Sequence, residues 1–397
     1  MAPILKPSQT ATIASQLKTA PKPIPRPRPW IEIAKLGGWM FLWLTCLDIG
    51  INFLFAFPSP TQRPPSSLER YFDHGRSIQG KLSRTLENPT PEGLKLLNAG
   101  WIDPQSWQTE PTTVEAGDDL LVAIYGMSFA KDIGQALIEI DSQITLRNMS
   151  SPAAPPSHSF AKFMADTDKK NADVVVIGIL ASSVQRMRSV SGMSWSYESP
   201  TPYTYPYYTL NSENKLVTVE PAIKTGEDFI QSFQTQDEQW QQLKQQMKQY
   251  DQPFDSFVFN RNISDRSAII RLIRRGWANR VRAQSQKGLF TPETGFNPKA
   301  SEIRTLKVML SEFVRTAKAA DQTPIILLIN DQGYGDALPT VLTPHLNSLE
   351  AQVLSTHTIA STTNPKNFID DGHFTKEVNL KIAEALQTLV RDETNAP

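Results

Sequence analysis

The chain has 397 residues, with 40 basic and 40 acidic side chains, and therefore carries no formal net charge. This balance excludes the strongly basic composition typical of nucleic-acid binding, so we expect no nucleic-acid partner. The single cysteine, Cys46, excludes an intrachain disulfide and a thiolate metal cage. Since the sequence has no glycine-rich phosphate loop and no histidine pair at ligand spacing, it predicts neither a cofactor nor a metal.

The N-terminal region predicts a membrane anchor. Residues 1–35 are rich in proline, threonine and lysine, a composition that predicts a disordered tail. Residues 36–57 read LGGWMFLWLTCLDIGINFLFAF and carry one charge, Asp48, so they are long and apolar enough for a transmembrane helix. Asp48 is interpreted either as a tolerated acid or as a contact to a partner helix or proton path.

The charges before this segment predict its orientation. Six basic residues and one acidic residue, Glu32, precede the apolar run. The positive-inside rule therefore predicts a cytoplasmic N-terminus and an extracytoplasmic C-terminal domain, which would be periplasmic in a two-membrane bacterium. A cleaved signal peptide is the competing interpretation, but its apolar core would be shorter and would start earlier in the chain.

Beyond the membrane segment, residues 58–114 predict a spacer and a membrane-proximal helical region. FPSPTQRPPSS is proline-rich and therefore extended, and residues 67–97 have apolar side chains at helical spacing. Residues 115–392 then alternate buried-strand runs with amphipathic helices. The strands are predicted at 119–126, 144–148, 172–180, 323–331 and 356–361, and the helices at 128–140, 303–321, 346–354 and 376–392. This alternation predicts an α/β fold with a parallel sheet covered on both faces.

An insertion at about residues 185–300 interrupts the alternation. It contains an aromatic, proline-rich loop at 194–208, a polar helix at 236–249 and a basic amphipathic helix at 265–284. The aromatic loop either packs over the core or stacks on a sugar. The basic helix either presents a solvated face over an apolar stripe or lies near anionic lipid or an acidic polymer.

Candidate catalytic residues follow the first predicted strand and precede the last helix. Sites in parallel sheets form at the carboxyl ends of strands, and there a glycine turn presents Ser128 at the start of a helix. The helix N-terminus offers N–H groups to an oxyanion, although a serine here is also a common helix cap. Near the C-terminus, Asp370 and Asp371 precede His373, and an acid on such a loop can orient an imidazole as general base.

This layout of serine, acid and histidine resembles that of the SGNH (GDSL-like) hydrolases, over about residues 115–392 outside the insertion. The resemblance implies a three-layer, flavodoxin-like parallel sheet. It also implies that Ser128 is the nucleophile, His373 the base and Asp370 the orienting acid, with Asp371 as the neighbouring alternative.

The chain departs from the family pattern in three places. Met127 stands where the first family block has aspartate, and residues 147–152 lack the glycine whose N–H group joins the oxyanion hole. Ser150 or Ser151 can supply a backbone N–H group there. Residues 178–183 lack the asparagine of the third block. The alternative donors are Ser182 and Ser183 after that strand, and Asn148 and His158 from the neighbouring loop.

Two functions follow from the resemblance and its departures. The first is a membrane-anchored, extracytoplasmic serine esterase or O-acyl (acetyl) transfer enzyme acting on acyl esters of a cell-envelope or secreted polysaccharide. The second is a catalytically degenerate SGNH-like module that binds glycan or an envelope assembly partner. A cation site at Asn330, Asp331 and Asp336 is a third interpretation, but these residues are better explained as a polar turn.

Overall fold

The computed structural model describes residues 29–58, 63–87, 97, 99–292, 295–349 and 351–394. The chain divides into two compact units, residues 1–51 and residues 52–397. The helices of the described residues are α1 (Pro29–Leu54), α2 (Ser67–Asp73), α3 (Ile78–Glu87), α4 (Ser128–Ile140), α5 (Pro156–Ala165), α6 (Gly192–Trp195), α7 (Gly226–Thr235), α8 (Glu238–Tyr250), α9 (Ser256–Phe259), α10 (Ala268–Ser285), α11 (Ser301–Lys318), α12 (Ala337–Leu346) and α13 (Lys376–Thr394). The strands are β1 (Leu120–Tyr125), β2 (Ile144–Asn148), β3 (Val174–Leu180), β4 (Tyr207–Leu210), β5 (Leu216–Val219), β6 (Phe290–Thr291), β7 (Gly295–Phe296), β8 (Thr323–Ile329) and β9 (Gln352–Ser355).

Helix α1 is long and apolar enough to cross a membrane, by length and composition, and it is the one such helix in the part of the chain that the structure describes. It begins at Pro29 and ends at Leu54, whereas the sequence predicted residues 36–57. Proline is favoured in the first turn of a helix, and Pro58 disfavours helical backbone at the residue before it. Residues 29–35 are therefore helical and not disordered, while residues 1–28 of the predicted tail lie outside the described residues.

The second unit is built on a five-stranded sheet, in which the strand order is β2-β1-β3-β8-β9 and every pairing is parallel. The predicted α/β class and parallel sheet are confirmed. Every residue of β1 and β3 is buried, because alternate side chains enter two separate apolar clusters. Helices α4 and α13 cover one face of the sheet, and α5, α11 and α12 cover the other.

The chain leaves β1 toward β2 on one side and returns to place β3 on the other side. A crevice forms outside the carboxyl ends of the strands at such a reversal, and it is the usual place for a ligand in an open parallel sheet. Ser128 follows β1 at this point. The sheet therefore places the predicted nucleophile where a parallel α/β fold builds its sites.

The predictions for residues 346–361 were wrong. Instead of a helix over 346–354, the structure has the end of α12 at Leu346 and an edge strand over Gln352–Ser355. The strand pairs in parallel with β8, from Ile325 opposite Gln352 to Leu328 opposite Ser355. Residues 356–358 form a 3₁₀ turn in place of the predicted strand. Pairing with a neighbouring strand overrides local helical spacing, which a sequence pattern alone does not register.

The insertion forms its own apolar cluster together with α3 and Trp101. The predicted helices over 236–249 and 265–284 correspond to α8 and α10. Tyr197, Tyr203 and Tyr205 of the aromatic loop are at most 4% exposed, so they pack in this cluster and are not available to stack on a sugar. The helical pattern at 67–97 corresponds to α2 and α3, and residues 88–96 lie outside the described part of the chain.

Candidate active site

Ser128 is the first residue of α4 and follows directly on the turn after β1. Gly126 and Gly178 allow this arrangement, because a side chain at either position would collide with Ala130 on the first turn of the helix. The helix cap position is held by Met127, which makes no side-chain cap bond. The Ser128 hydroxyl is therefore not used as a helix cap.

The hydroxyl is instead paired with an imidazole from the other end of the chain. Ser128 Oγ lies 2.7 Å from His373 Nε2. The imidazole stacks on the Phe129 ring, with 4.6 Å between ring centroids and 21° between the planes. Phe129 also makes an edge contact with Phe374 at 5.2 Å. Two neighbouring aromatic rings thus fix the His373 loop against the start of α4.

The carboxylate on the other side of the imidazole is that of Asp371. Its Oδ1 lies 3.0 Å from His373 Nδ1 and also accepts the His373 backbone N–H at 3.0 Å. The resemblance to the SGNH hydrolases implied Asp370 for this position, with Asp371 as the neighbouring alternative, and in the structure Asp371 is the residue that contacts the ring. The physical reason is a tight turn over residues 369–372, which the Gly372 N–H closes by donating to Ile369 O at 2.9 Å. Asp371 is the second central residue of this turn, and its side chain points back toward His373.

The turn also explains the glycine that follows the two aspartates. Gly372 has a φ of +89°, a conformation that residues with a side chain rarely adopt. The Ile369 N–H donates to His373 O at 2.8 Å, which holds the two arms of the turn together. His373 is thereby presented at the end of a short hairpin, next to Ser128.

Two carboxyl groups near His373 have shifted pKa values. Hydrogen bonds from the His373 backbone and ring hold the pKa of Asp371 below its usual range, although the Asp371 side chain is 65% exposed. Asp132, one turn after Ser128 on α4, is half-buried, and burial raises its pKa while the charge of His373 opposes that rise. Sequence reasoning missed Asp132, although its spacing of four residues from Ser128 places both on one helix face.

Most of the predicted oxyanion donors are already engaged. The Ser151 N–H donates to Gly126 O at 2.9 Å, and the Ser150 N–H donates to Asn148 Oδ1 at 3.1 Å. The backbone groups predicted to replace the family glycine are thus used inside the protein. The Ser150 hydroxyl is buried and has no hydrogen-bond partner among the described residues. Asn148 uses its amide oxygen in this contact, which leaves the NH₂ group as the donating end of the same side chain.

The two serines after β3 are committed to other contacts. Ser183 Oγ donates to Leu180 O at 2.7 Å, and the Ser182 N–H donates to Asp331 Oδ1 at 3.1 Å. The neighbouring Asn330 donates from its backbone to Thr356 Oγ1 at 2.8 Å. Within the described ranges, no group of three or more His, Cys, Asp and Glu side chains is placed to hold a metal ion. The bonds to Ser182 and Thr356 place Asp331 and Asn330 in a hydrogen-bonded polar turn after β8.

His158 has a structural position. Its side chain is fully buried, its Nε2 lies 3.0 Å from Gly100 O, and its ring meets the edge of Tyr205. Burial lowers the pKa of His158 to about 3, so the ring is neutral and donates to the Gly100 carbonyl. These contacts do not offer His158 to an oxyanion beside Ser128.

The remaining donors are the backbone N–H groups of Ser128 and Phe129 at the start of α4, because the Ala130 N–H already donates to Met127 O at 2.9 Å. The first N–H groups of a helix have no acceptor within the helix, and they carry its partial positive charge. Ser128 therefore combines a hydroxyl bonded to an imidazole with backbone donors at the same helix end. This arrangement suits addition of a hydroxyl oxygen to a carbonyl carbon.

No model of a protein family matches the chain, and no curated protein matches it significantly.

Proposed function

We propose that this protein is a serine esterase or O-acyl transfer enzyme of the SGNH type. The observation that carries the proposal is the contact between Ser128 Oγ and His373 Nε2 at 2.7 Å, with Asp371 Oδ1 at 3.0 Å from His373 Nδ1. The two ends of the α/β domain, 245 residues apart in sequence, supply the serine and the histidine. The parallel sheet and the position of Ser128 after β1 agree with the resemblance on which the family proposal rests.

In the first half of the reaction, Ser128 Oγ adds to the carbonyl carbon of an acyl ester while its proton passes to His373 Nε2. The negative charge that develops on the carbonyl oxygen is stabilised by the N–H groups at the start of α4. The ester bond then breaks, and the leaving alkoxide takes the proton from His373. The product is an acyl group on Ser128 and a free alcohol.

In the second half, a water molecule or a sugar hydroxyl adds to the acyl group on Ser128. His373 takes the proton of the incoming hydroxyl and returns it to Ser128 Oγ as the acyl bond breaks. Asp371 keeps the Nδ1 proton of His373 in place, because its Oδ1 is itself held by the His373 backbone N–H. Water gives hydrolysis, and a sugar hydroxyl gives transfer.

The substrate class follows from the proposed location. With α1 as a membrane anchor and the basic N-terminal segment in the cytoplasm, the Ser128 site faces the extracytoplasmic side. Acyl esters there belong to cell-envelope or exported molecules, and we propose an acetylated polysaccharide. Digestion of the C-terminal domain by a protease confined to the cytoplasmic side would contradict both the orientation and this substrate class.

The test is hydrolysis of an aryl acetate by the full-length protein in detergent, compared with Ser128→Ala and His373→Ala. We expect both variants to lose the activity, and a fluorophosphonate to label the wild type but not Ser128→Ala. The matched control is Ser348→Ala, an exposed serine after α12 whose hydroxyl donates to His345 O at 2.6 Å. Equal rates for wild type and Ser128→Ala would refute the catalytic assignment.

A second candidate function is a degenerate SGNH-like module that binds glycan or an envelope assembly partner. Its support is that the Ser150 and Ser151 N–H groups, which would replace the family glycine, donate within the protein. This candidate predicts no fluorophosphonate labelling of Ser128 and retention of the chain on immobilised polysaccharide. Labelling of Ser128 would contradict it.

A further inference from the structure

A polar cavity of about 470 Å³ lies between the 3₁₀ turn that follows β3 (Ala181–Arg188) and the C-terminal end of α10. Residues 195–199 of the insertion form its third side. Sites for small molecules have volumes of about 300–1,000 Å³, so the cavity is large enough for a ligand. Its lining side chains include Gln185, Arg186, Asn279, Arg282 and Gln286. Amides and guanidinium groups suit a polar ligand and not an apolar one.

The two arginines of the cavity keep most of their hydrogen-bonding capacity. Arg186 Nη1 donates to Ala153 O at 2.9 Å, and Arg282 Nη2 donates to Asn279 Oδ1 at 3.1 Å. Within the described ranges, neither arginine forms an ion pair. Each guanidinium group has five N–H donors and is charged at any physiological pH. Two positive charges without a carboxylate partner therefore line the same cavity.

The acidic groups near the cavity do not neutralise these arginines. Glu198, on the third side, is paired at 3.5 Å with Arg275, which lies outside the lining. Asp331 acts on Arg186 electrostatically, but Asp331 Oδ1 accepts the Ser182 N–H at 3.1 Å. Burial lowers the pKa of Arg186, as expected for a cation that is withdrawn from water. An anion bound in the cavity would supply the missing partner.

The walls of the cavity are held together by polar contacts below it. The guanidinium group of Arg188, which is 6% exposed, donates to Ser285 O at the end of α10. The same group is paired with Glu302 of α11 at 2.9 Å. Gln286 Nε2 donates to Gln185 Oε1 at 2.6 Å, across the two walls. These contacts fix the end of α10 beside the 3₁₀ turn, so the two unpaired arginines are held in place before a ligand arrives.

The cavity is connected to the candidate active site by a short series of contacts. The Ala153 carbonyl that binds Arg186 lies two residues after Ser151. The Ser151 N–H donates to Gly126 O at 2.9 Å, and Gly126 lies two residues before Ser128. Since an extended residue spans at most about 3.6 Å, Arg186 lies within about 20 Å of Ser128. An oligosaccharide can bridge this distance, whereas a small aryl acetate cannot.

We propose that the cavity binds an anionic group, a carboxylate or a sulfate, on the polysaccharide whose acyl ester reacts at Ser128. The inference rests on the proposed function, because it makes the cavity a subsite for the same substrate. The planar fork of a guanidinium group matches two oxygens of either anion. The amide groups of Gln185 and Asn279 provide partners for sugar hydroxyls. Among the interpretations of the basic helix, this one favours an acidic polymer, since Arg282 lies in the last turn of α10.

The experiment is calorimetric titration of the full-length protein in detergent with matched acidic and neutral oligosaccharides. Tetragalacturonate is compared with the α-1,4-linked galactose tetramer, and sulfated maltotetraose with maltotetraose. The two pairs distinguish a carboxylate from a sulfate. The variants are Arg186→Gln and Arg282→Gln, and the matched control is Arg280→Gln, an exposed arginine of α10 that does not line the cavity. The unfolding midpoint of each variant is measured alongside.

We expect at least one acidic tetramer to bind more tightly than its neutral partner. Arg186→Gln and Arg282→Gln should each weaken this binding by roughly tenfold to a hundredfold, the value of a charge-assisted hydrogen bond. Arg280→Gln should change it by less than about twofold, as expected for an exposed charge outside the site. If Arg186→Gln fails to fold because its bond to Ala153 is lost, Arg282→Gln decides the question.

Equal affinity for the acidic and neutral members of both pairs would overturn the inference, and so would wild-type affinity in Arg186→Gln and Arg282→Gln. A loss in Arg280→Gln as large as that in Arg282→Gln would place binding on the basic surface of α10 and would also overturn it. The probes carry no acyl group, so their binding does not require Ser128. Binding without esterase activity would refute the proposed enzyme alone, and esterase activity without a preference for acidic probes would refute the subsite alone.

Discussion

Two neighbouring aspartates compete for the role of orienting His373, and replacing each of them separately identifies which one acts. The structure places Asp371 Oδ1 on both the ring Nδ1 and the backbone N–H of His373. Asp371→Ala removes both contacts, whereas Asp370→Ala removes neither. We therefore expect Asp371→Ala to lower kcat/KM for an aryl acetate and Asp370→Ala to leave it near the wild-type value.

The size of the loss follows from the exposure of the Asp371 side chain, which is 65%. General base catalysis is worth about 10²–10⁴-fold, and an exposed carboxylate supplies only part of it, so we expect a loss of roughly tenfold for Asp371→Ala. The ring remains stacked on Phe129 in this variant, which preserves most of its orientation. The loss should therefore fall well below that of Ser128→Ala.

Asp371→Asn provides a sharper test. In serine proteases, asparagine in place of a buried triad aspartate costs about 10⁴-fold, because the imidazole adopts the wrong tautomer. Here a single oxygen accepts both hydrogen bonds, and the backbone N–H of His373 forces that position to be an acceptor. The amide oxygen of asparagine can replace it, so we expect a loss of less than about fivefold from this conservative change.

The assay is steady-state hydrolysis of an aryl acetate over pH 6–9, together with the rate of fluorophosphonate labelling of Ser128. Both the hydrolysis rate and the labelling rate should be highest in the wild type, lower in Asp371→Asn and lowest in Asp371→Ala. A loss for Asp370→Ala that equals or exceeds the loss for Asp371→Ala would refute the reasoning. It would indicate that the turn rearranges in solution to bring Asp370 to the imidazole.

Three further predictions concern stability, each measured by denaturation of the full-length protein in detergent. Gly178→Ala places a methyl group 2.8 Å from Ala130 Cβ, so it should destabilise the fold by about 1–3 kcal/mol. Adding Ala130→Gly should restore most of that loss, and a double variant with no recovery would contradict this contact as the cause. Arg147→Met breaks a buried ion pair with Asp166 at 2.8 Å and should cost about 3–5 kcal/mol, with partial recovery on adding Asp166→Asn; a neutral result would show that water reaches the pair. Burial raises the pKa of Asp251 to about 8, so the folded state holds its proton more tightly than the unfolded state does, and this stabilisation is present at low pH and lost as pH rises toward 8. Asp251→Asn should therefore gain stability relative to wild type as pH rises from 5 to 8, by up to about 1.4 kcal/mol per pH unit. If the difference in unfolding free energy between Asp251→Asn and wild type does not change with pH, the raised pKa of Asp251 is wrong.

The local pattern of the sequence was sufficient for the central elements of the sheet. The runs at 144–148 and 128–140 match β2 and α4 residue for residue. Buried parallel strands are continuous apolar runs, and amphipathic helices repeat every 3.6 residues, so both leave a signal in the sequence. The edge strand over Gln352–Ser355 left no such signal, because it is only partly buried and is defined by its pairing with β8.

The same division holds for the candidate site. The sequence by itself determined the residue types and their positions relative to the elements, and so it indicated Ser128 after a strand and His373 before the last helix. Only the tertiary structure decided that Asp371 rather than Asp370 meets the imidazole, and that the Ser150 and Ser151 N–H groups are engaged. The reason is physical: a one-residue difference in a tight turn redirects a side chain, and a hydrogen bond has a range of about 3 Å. Sequence spacing specifies which groups are near a site, and the fold determines which of them touch.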